Sequence, residues 1–208
     1  MFVEREELAR LIRLHDTGPL TLVMVSGPKG IGKTTLTLHW AQRHRDRFAT
    51  DGYTSTSPPN PGWPLRWCWC DCCATSVSLP VPSSPIPGER AALWRSLTRH
   101  RRLLLVLDGV EHAGQVTTLL PAGTDCLTLV VSRLRLPDLT DVGARHLVLR
   151  ALPEQTATDL LAACVGPERG SGQRRHLAAL AAHGRGHPVT MTLLAPTWPH
   201  TRNCRWTR

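Results

Sequence analysis

A glycine-rich segment near the start of this 208-residue chain constrains its fold more than any other feature. The run Gly27-Pro-Lys-Gly-Ile-Gly-Lys-Thr34 matches the pattern G-x-x-x-x-G-K-[ST]. An apolar, β-branched stretch at residues 21–26 precedes it, and residues 33–48 follow without proline or glycine. Backbone N–H groups of such a loop can turn inward around a phosphate, and the start of the next helix adds positive potential. The order of strand, glycine loop and helix therefore predicts a phosphate-binding loop.

The residue types in this loop suit nucleotide chemistry. We expect Lys33 to bridge the β- and γ-phosphates of ATP and the Thr34 hydroxyl to ligate Mg²⁺. The chain has two lysines, Lys29 and Lys33, and both lie in this loop, whereas its other 23 basic residues are arginines. Arginine is too large and too forked for a phosphate cradle, so a chance glycine-rich turn is disfavoured. The predicted nucleotide-binding residues of the loop are Gly27, Gly30, Gly32, Lys33, Thr34 and Thr35.

Strand-like and helix-like segments alternate along most of the chain, which is typical of a parallel α/β sheet. We therefore predict a three-layer P-loop NTPase domain over residues 1–150, followed by a small helical subdomain over residues 151–194. The predicted strands are 21–26, 103–107, 127–131 and 146–149. The predicted helices of the first domain are 4–15, 33–48, 89–100 and 113–120, and those of the second are 154–165, 173–183 and 188–194.

Two further polar residues stand at predicted strand ends. Asp108 ends an apolar strand in the manner of a Walker B segment, and we expect it to hold Mg²⁺ together with Thr34. Arg133 follows another apolar strand, where a guanidinium can reach a γ-phosphate and distinguish ATP from ADP. Glu111 is a candidate for orienting the attacking water, although a solvated loop acid is the favoured interpretation. Lys33, Asp108 and Arg133 form the predicted catalytic set.

Residues 51–88 differ from the rest of the sequence. They contain eight of the 17 prolines, three of the seven tryptophans and four of the seven cysteines, and they show no regular period. We predict irregular structure over 52–88 and a disordered tail over 195–208. One hypothesis is that 52–80 and the tail are products of a shifted reading frame. A metal site at Cys68, Cys70, Cys72 and Cys73 is disfavoured, because structural zinc requires a second spaced pair of ligands.

Composition limits the partners. A net charge of +9 permits an anionic partner, but the arginines are scattered and no nucleic-acid reading element is recognisable. No apolar run approaches the ~20 residues that a membrane-spanning helix needs, and no export signal follows Met1. We therefore expect no membrane association, reduced cysteines and a cytoplasmic location.

Five segments in order resemble the NB-ARC type of signal-transduction ATPase (STAND class) of bacterial regulators. Phe2-Val-Glu-Arg-Glu-Glu-Leu8 is similar to the family's N-terminal motif, and the phosphate loop, the strand ending at Asp108 and Val131-Ser-Arg133 follow. Gly186-His-Pro-Val189 resembles the motif G-L-P-L, whose proline contacts the nucleotide base. The resemblance implies that Pro188 joins the binding site and that the chain binds ATP or ADP with Mg²⁺. It also implies a regulatory switch with regulatory proteins or further copies of itself as partners.

The sequence departs from that family at two informative positions. Glu4 replaces a glycine of the N-terminal motif, a departure that concerns the contact with the adenine. Gly109 follows Asp108 where many relatives have a second acid or asparagine, so we expect slow hydrolysis or none. Without recognisable input and output modules, the chain is expected to be a bare switch. The alternatives are an initiator-type AAA+ ATPase that acts on DNA, with Arg185 at the phosphate, and a truncated fragment without function.

Overall fold

The computed structural model describes residues 5–16, 21–48, 51–55, 87–166 and 173–195. The chain divides into two compact units. Of the described residues, the sheet unit comprises 6–16, 21–27, 33–48, 51–55 and 87–149, and the helical unit comprises Arg5 and residues 28–32, 150–166 and 173–195. The chain thus passes into the helical unit for five residues of the glycine loop and returns to the sheet unit at Lys33.

The sheet unit is built on five parallel strands in the order β2-β3-β4-β1-β5. This confirms the predicted α/β P-loop NTPase fold. The strands are β1 (Leu22–Ser26), β2 (Asp51–Ser55), β3 (Leu103–Asp108), β4 (Leu127–Ser132) and β5 (Arg145–Val148). The helices are α1 (Glu6–Asp16), α2 (Lys33–Arg43), α3 (Pro87–Thr98), α4 (Ala113–Thr117) and α5 (Asp138–Asp141), with a 3-10 turn at Arg45–Phe48.

The central strands form because their apolar runs can be covered on both faces. Every residue of β1 and β4 is buried, as expected for parallel strands between two helical layers. On one face, Leu105 and Val130 pack with Val116 of α4 and Leu139 of α5. Helix α2, whose buried side carries Leu36 and Trp40, contacts β1, β3 and β4. The alternating residues of β1, β3 and β4 therefore face two helical layers, one on each side of the sheet.

The prediction of irregular structure over residues 52–88 is wrong for its first four residues, which belong to β2, and for its last two, which belong to α3. Strand β2, with the sequence DGYTS, pairs in parallel register with β3 from Asp51↔Leu103 to Ser55↔Leu107. These five mostly polar residues show no apolar period that would predict a strand. They form one because β3 supplies the backbone hydrogen-bond partners of an edge strand. Residues 56–86, including the four clustered cysteines, lie outside the described residues. So does the predicted tail beyond Ala195.

Other boundaries shift by a few residues. Helix α3 begins at Pro87, two residues before the predicted start, and proline suits the first turn of a helix. Helix α4 ends at Thr117 rather than at residue 120, and α2 ends at Arg43 with the 3-10 turn after it. Helix α5, of four residues, was not predicted because its length is close to one turn.

The helical unit contains α6 (Glu154–Val165), α7 (Arg174–His183) and α8 (Pro188–Leu194). The predicted bounds of α6 and α8 are the observed ones. Its core is formed by apolar side chains that recur at helical spacing, among them Leu161, Leu177, Ala181 and Met191, all at most 1% exposed. None of the helices described for this chain combines the length and apolar character that crossing a bilayer would need.

Candidate functional site

The glycine loop adopts backbone angles that favour glycine at three of its positions. Gly27, Gly30 and Gly32 have φ values of 148°, 79° and 93°, and residues with side chains rarely adopt this region. The amide of Ile31 donates to the carbonyl of Pro28 at 3.4 Å and closes a tight turn. The spacing of the glycines in the sequence motif is therefore required by the backbone path of the loop.

Lys33, the first residue of α2, is held at the end of that path. Its Nζ donates a hydrogen bond of 2.8 Å to the carbonyl oxygen of Gly27, and the residue is only 8% exposed. Burial lowers the pKa of Lys33, the charge of Asp108 raises it, and the positive charge of Arg133 lowers it further. The ammonium therefore lies within electrostatic range of two residues that the sequence placed at strand ends. A bound anion would relieve the cost of burying this cation.

Thr34 and Asp108 meet although 74 residues separate them in the sequence. The Thr34 hydroxyl donates to Oδ2 of Asp108 at 2.7 Å. Asp108 occupies the same alternating row of β3 as Leu104 and Val106, whereas Leu105 and Leu107 enter the core on the other face. Its carboxylate thus faces the side on which α2 begins. A hydroxyl and a carboxylate at this separation are the oxygen donors that Mg²⁺ prefers.

Arg133 lies just beyond β4 and pairs with Glu111. Its Nη2 stands 3.8 Å from Oε1 of Glu111, and the two side chains are 64% and 57% exposed. The loops that carry them are joined by backbone contacts. The hydroxyl of Ser132 donates to the carbonyl of Val110 at 2.6 Å and accepts from the amide of Leu134 at 3.0 Å. The two charged side chains therefore start from neighbouring, fixed segments of backbone.

Within the helical unit, the start of α8 contacts the glycine loop. The amide of Val189 donates to the carbonyl of Gly30 at 3.3 Å. A methyl group on Gly30 would come within 3.0 Å of Val189, and one on Gly32 would stand 3.9 Å from Pro188 and 4.0 Å from the Arg5 guanidinium. Pro188, predicted to contact a nucleotide base, thus lies beside the loop.

The structure brings the predicted site residues together in two groups. Lys33, Thr34, Asp108 and Arg133 are neighbours in the sheet unit, and Pro188 lies beside Gly32 in the helical unit. Thr35 is exposed on α2, where its side chain has no hydrogen bond among the described residues. Sequence reasoning did not single out Val189, and it treated Arg5 only as part of a motif.

Clusters of three or more His, Cys, Asp or Glu side chains that could hold a metal are absent from the described residues. The predicted Mg²⁺ site is of another kind, since it combines one hydroxyl with one carboxylate and leaves the remaining positions to phosphate and water. Mg²⁺ is commonly bound in this way, with few protein ligands.

Comparison with curated proteins relates the chain to two regulators. It is 34% identical to the regulatory protein AfsR of Streptomyces griseus over 184 residues, which cover 86% of this chain and 18% of that protein. It is 36% identical to the regulatory protein AfsR of Streptomyces coelicolor over 161 residues, covering 73% of this chain and 15% of that protein. The chain therefore spans less than a fifth of the length of these relatives. No protein-family profile matches it.

Solved structures show the same fold at low sequence identity. A single-residue variant of RuvB from Thermotoga maritima matches with a TM-score of 0.56 and 19% identity, covering 94% of this chain and 61% of RuvB. A STAND protein with a tetratricopeptide repeat sensor from Pyrococcus horikoshii matches with a TM-score of 0.54 and 17% identity. That match covers 97% of this chain and 31% of the other. At such identities the likeness establishes the architecture of a P-loop ATPase alone.

Proposed function

We propose that this chain is the nucleotide-binding switch of a regulatory ATPase of the NB-ARC type, which binds ATP or ADP with Mg²⁺ and hydrolyses ATP slowly or not at all. The observation that carries the proposal is the hydrogen bond of 2.7 Å between Thr34 and Asp108, beside the buried ammonium of Lys33. A chance glycine-rich turn would not bring the end of β3 to the first residues of α2.

Lys33 is the group that we assign to the phosphates. Its ammonium is bound to the Gly27 carbonyl at 2.8 Å, an uncharged acceptor that an anionic phosphate oxygen can replace. Because burial already disfavours the charged lysine, the gain on pairing with an anion is larger than for an exposed one. The loop amides, held by the positive φ values of Gly30 and Gly32, supply further donors.

The pair formed by Thr34 and Asp108 fits Mg²⁺. Thr34 would contribute its hydroxyl oxygen and Asp108 its carboxylate, directly or through water. Bound there, Mg²⁺ neutralises phosphate charge and orients the phosphates. The residue after Asp108 is Gly109, so the strand end supplies no second carboxylate to activate water, which supports slow turnover.

Arg133 is the residue that we assign to discrimination between ATP and ADP. It lies one residue beyond β4, and its charge acts on Lys33. A guanidinium can donate hydrogen bonds to two phosphate oxygens at once, so an added γ-phosphate changes its contacts. A ligand shifts a conformational equilibrium only by its differential contacts with the two states, and this side chain supplies such a difference.

The contacts of the helical unit support a role for nucleotide state in its conformation. Val189 at the start of α8 is hydrogen-bonded to Gly30, so a change in the loop is transmitted to the helix at its first turn. We propose that regulatory proteins, or further copies of this chain, read that change. Light scattering of the purified chain with ADP and with ATP tests the second case, and a nucleotide-dependent change in mass is the expected result.

Titration calorimetry with ATP and with ADP, each with Mg²⁺, tests the nucleotide site directly. The chain offers a matched pair of variants, because Lys29 and Lys33 lie four residues apart in one loop and only Lys33 is buried. We expect Lys33→Ala to abolish binding and Lys29→Ala to retain it within about threefold, the effect of one screened surface charge.

Two outcomes would contradict the proposal. One is the absence of binding by a wild-type chain that unfolds cooperatively. The other is an equal loss in both lysine variants, which would indicate attraction to the loop charge in general rather than a shaped phosphate site.

A further inference from the structure

The ion pair between Arg133 and Glu111 is not used by the proposed nucleotide site, in which Arg133 alone contacts the γ-phosphate. Glu111 was expected to be a solvated loop acid. It lies three residues beyond Asp108, and its carboxylate stands 3.8 Å from the Arg133 guanidinium. Because Arg133 is the residue proposed to contact a γ-phosphate, an acid paired with it must affect how that phosphate binds.

The backbone around Glu111 is fixed, so the side chain starts from a defined position. The amides of Glu111 and His112 both donate to the side-chain oxygen of Gln115, at 2.9 and 3.1 Å. The amide of Val110 donates to the carbonyl of Val131 at 3.1 Å. Together with the Ser132 hydroxyl, these bonds tie the loop after β3 to the end of β4. The pair therefore forms with little loss of backbone freedom.

The pair lies beside the proposed phosphate position. Arg133 is close enough to Lys33 for its charge to act on the ammonium, and Lys33 is the residue assigned to the phosphates. Both partners of the pair are more than half exposed, so the guanidinium can leave the carboxylate without unpacking a core. A γ-phosphate that reaches Arg133 competes with Glu111 for this cation, and it also meets the negative charge of Glu111.

We infer that Glu111 is a selectivity residue, which holds Arg133 away from an incoming γ-phosphate and thereby weakens the binding of ATP relative to ADP. The inference rests on the proposed nucleotide site. Because ADP has no γ-phosphate, the pair persists when ADP is bound and contributes nothing to its affinity. The chemical class that Glu111 selects against is a nucleoside triphosphate.

The test is the ratio of two dissociation constants, measured by calorimetry on the whole chain with Mg²⁺. The ligands are ADP and the β,γ-imido analogue of ATP, which avoids turnover. We expect Glu111→Gln to bind the triphosphate about two- to fivefold more tightly, the range of an exposed ion pair, with unchanged affinity for ADP. Asp125→Asn is the matched control, because it also removes one negative charge but does so two residues before β4 begins. Arg133 follows the other end of that strand.

A double variant separates action through Arg133 from general charge effects. In an Arg133→Met background, the Glu111→Gln substitution is expected to change the ratio by less than in the wild type, since the competition for the cation is gone. An unchanged ratio in Glu111→Gln, or an equal change in the affinity for both ligands, would overturn the inference. Loss of hydrolysis with an unchanged ratio would also overturn it and would assign Glu111 to water activation.

These outcomes are distinguishable from failure of the proposed site. If the wild-type chain binds both nucleotides and Lys33→Ala does not, the site stands and the ratio alone decides the role of Glu111. If the wild-type chain binds neither, the inference falls with the site.

Discussion

Two threonines on the same helix should respond in opposite directions to the same substitution. Thr34 and Thr37 lie one turn apart on α2, and the valine that replaces each has nearly the same shape and a similar helix propensity. The Thr34 hydroxyl donates to the Asp108 carboxylate, whereas the Thr37 hydroxyl is fully buried without a hydrogen-bond partner among the described residues. The two variants therefore isolate the effect of one hydroxyl group.

The magnitudes follow from these environments. A hydrogen bond to a charged acceptor contributes ~1.5–3 kcal/mol, and partial exposure reduces this, so we expect Thr34→Val to lower the free energy of unfolding by about 1 kcal/mol. A buried, unsatisfied hydroxyl costs ~1–3 kcal/mol, so we expect Thr37→Val to raise the free energy of unfolding by about 1 kcal/mol. The difference of about 2 kcal/mol corresponds to roughly 4–8 °C in Tm for a domain of this size.

Urea unfolding followed by circular dichroism is the assay, with Thr98→Val as the matched reference. Thr98 is also buried on a helix, but its hydroxyl donates to the Trp94 carbonyl at 2.9 Å and accepts from the Ala122 amide at 3.1 Å. We expect that substitution to destabilise the chain by about 1–3 kcal/mol, because it leaves the Ala122 amide without this partner. If Thr37→Val destabilises the chain as much as Thr98→Val does, the Thr37 hydroxyl is satisfied and the reasoning is refuted.

Three further predictions use the same chain. Thr34→Val should abolish the gain in ADP affinity that Mg²⁺ provides while leaving Mg²⁺-free binding within about twofold; calorimetry with and without EDTA decides this, and a retained Mg²⁺ effect would exclude Thr34 as a ligand. Lys33→Met should stabilise the nucleotide-free chain most at neutral pH. Folding lowers the pKa of Lys33 below 10.5, so above the lowered pKa the unfolded state binds more protons than the folded state. The wild type therefore gains stability as pH rises, and the difference in the free energy of unfolding between Lys33→Met and the wild type shrinks toward pH 10.5. A difference that does not vary with pH would contradict this. Gly186→Ala should destabilise the helical unit by about 2–3 kcal/mol, because Gly186 has a φ of 66° and the added methyl would overlap the Leu152 carbonyl oxygen. This overlap would also disrupt the hydrogen bond of 2.8 Å that the Leu152 amide donates to the Gly186 carbonyl. In Gly143→Ala, where φ is 87° but no atom lies within 4 Å of the added methyl, the expected loss is about 1 kcal/mol, and equal losses in thermal melts of the two variants would show that the contact does not matter.

The parts of the fold that the sequence predicts are those determined by local pattern. Strands β1, β3 and β4 are apolar runs whose burial on both faces is implied by the run itself. The glycine loop was identified from spacing and from the position of the two lysines. The approach of Asp108 to Thr34 followed from a rule of topology, because the carboxyl ends of parallel strands meet at one edge of a sheet.

The parts that the sequence did not predict depend on partners far away in the chain. Strand β2 has no apolar period, and its structure comes from pairing with β3. The contact of Val189 with Gly30 and the pair of Glu111 with Arg133 join residues from separate segments, so no local pattern encodes them. Likewise, the buried hydroxyl of Thr98 has hydrogen-bond partners, whereas that of Thr37 has none within the part of the chain that the structure describes, although both residues occur in ordinary helical sequence.

Burial divides the proposed site into a fixed part and an adjustable part. Lys33 is 8% exposed and tied to the Gly27 carbonyl, so it presents the same charge to ATP and to ADP and sets the affinity that they share. Arg133 and Glu111 are more than half exposed, so their pairing can change with the ligand and is screened by salt. It follows that raising ionic strength should reduce the effect of Glu111 on selectivity more than it reduces the dependence of binding on Lys33. If salt weakened the effects of Glu111 and of Lys33 to the same extent, Lys33 would have to be exposed to solvent, contrary to its burial in the loop.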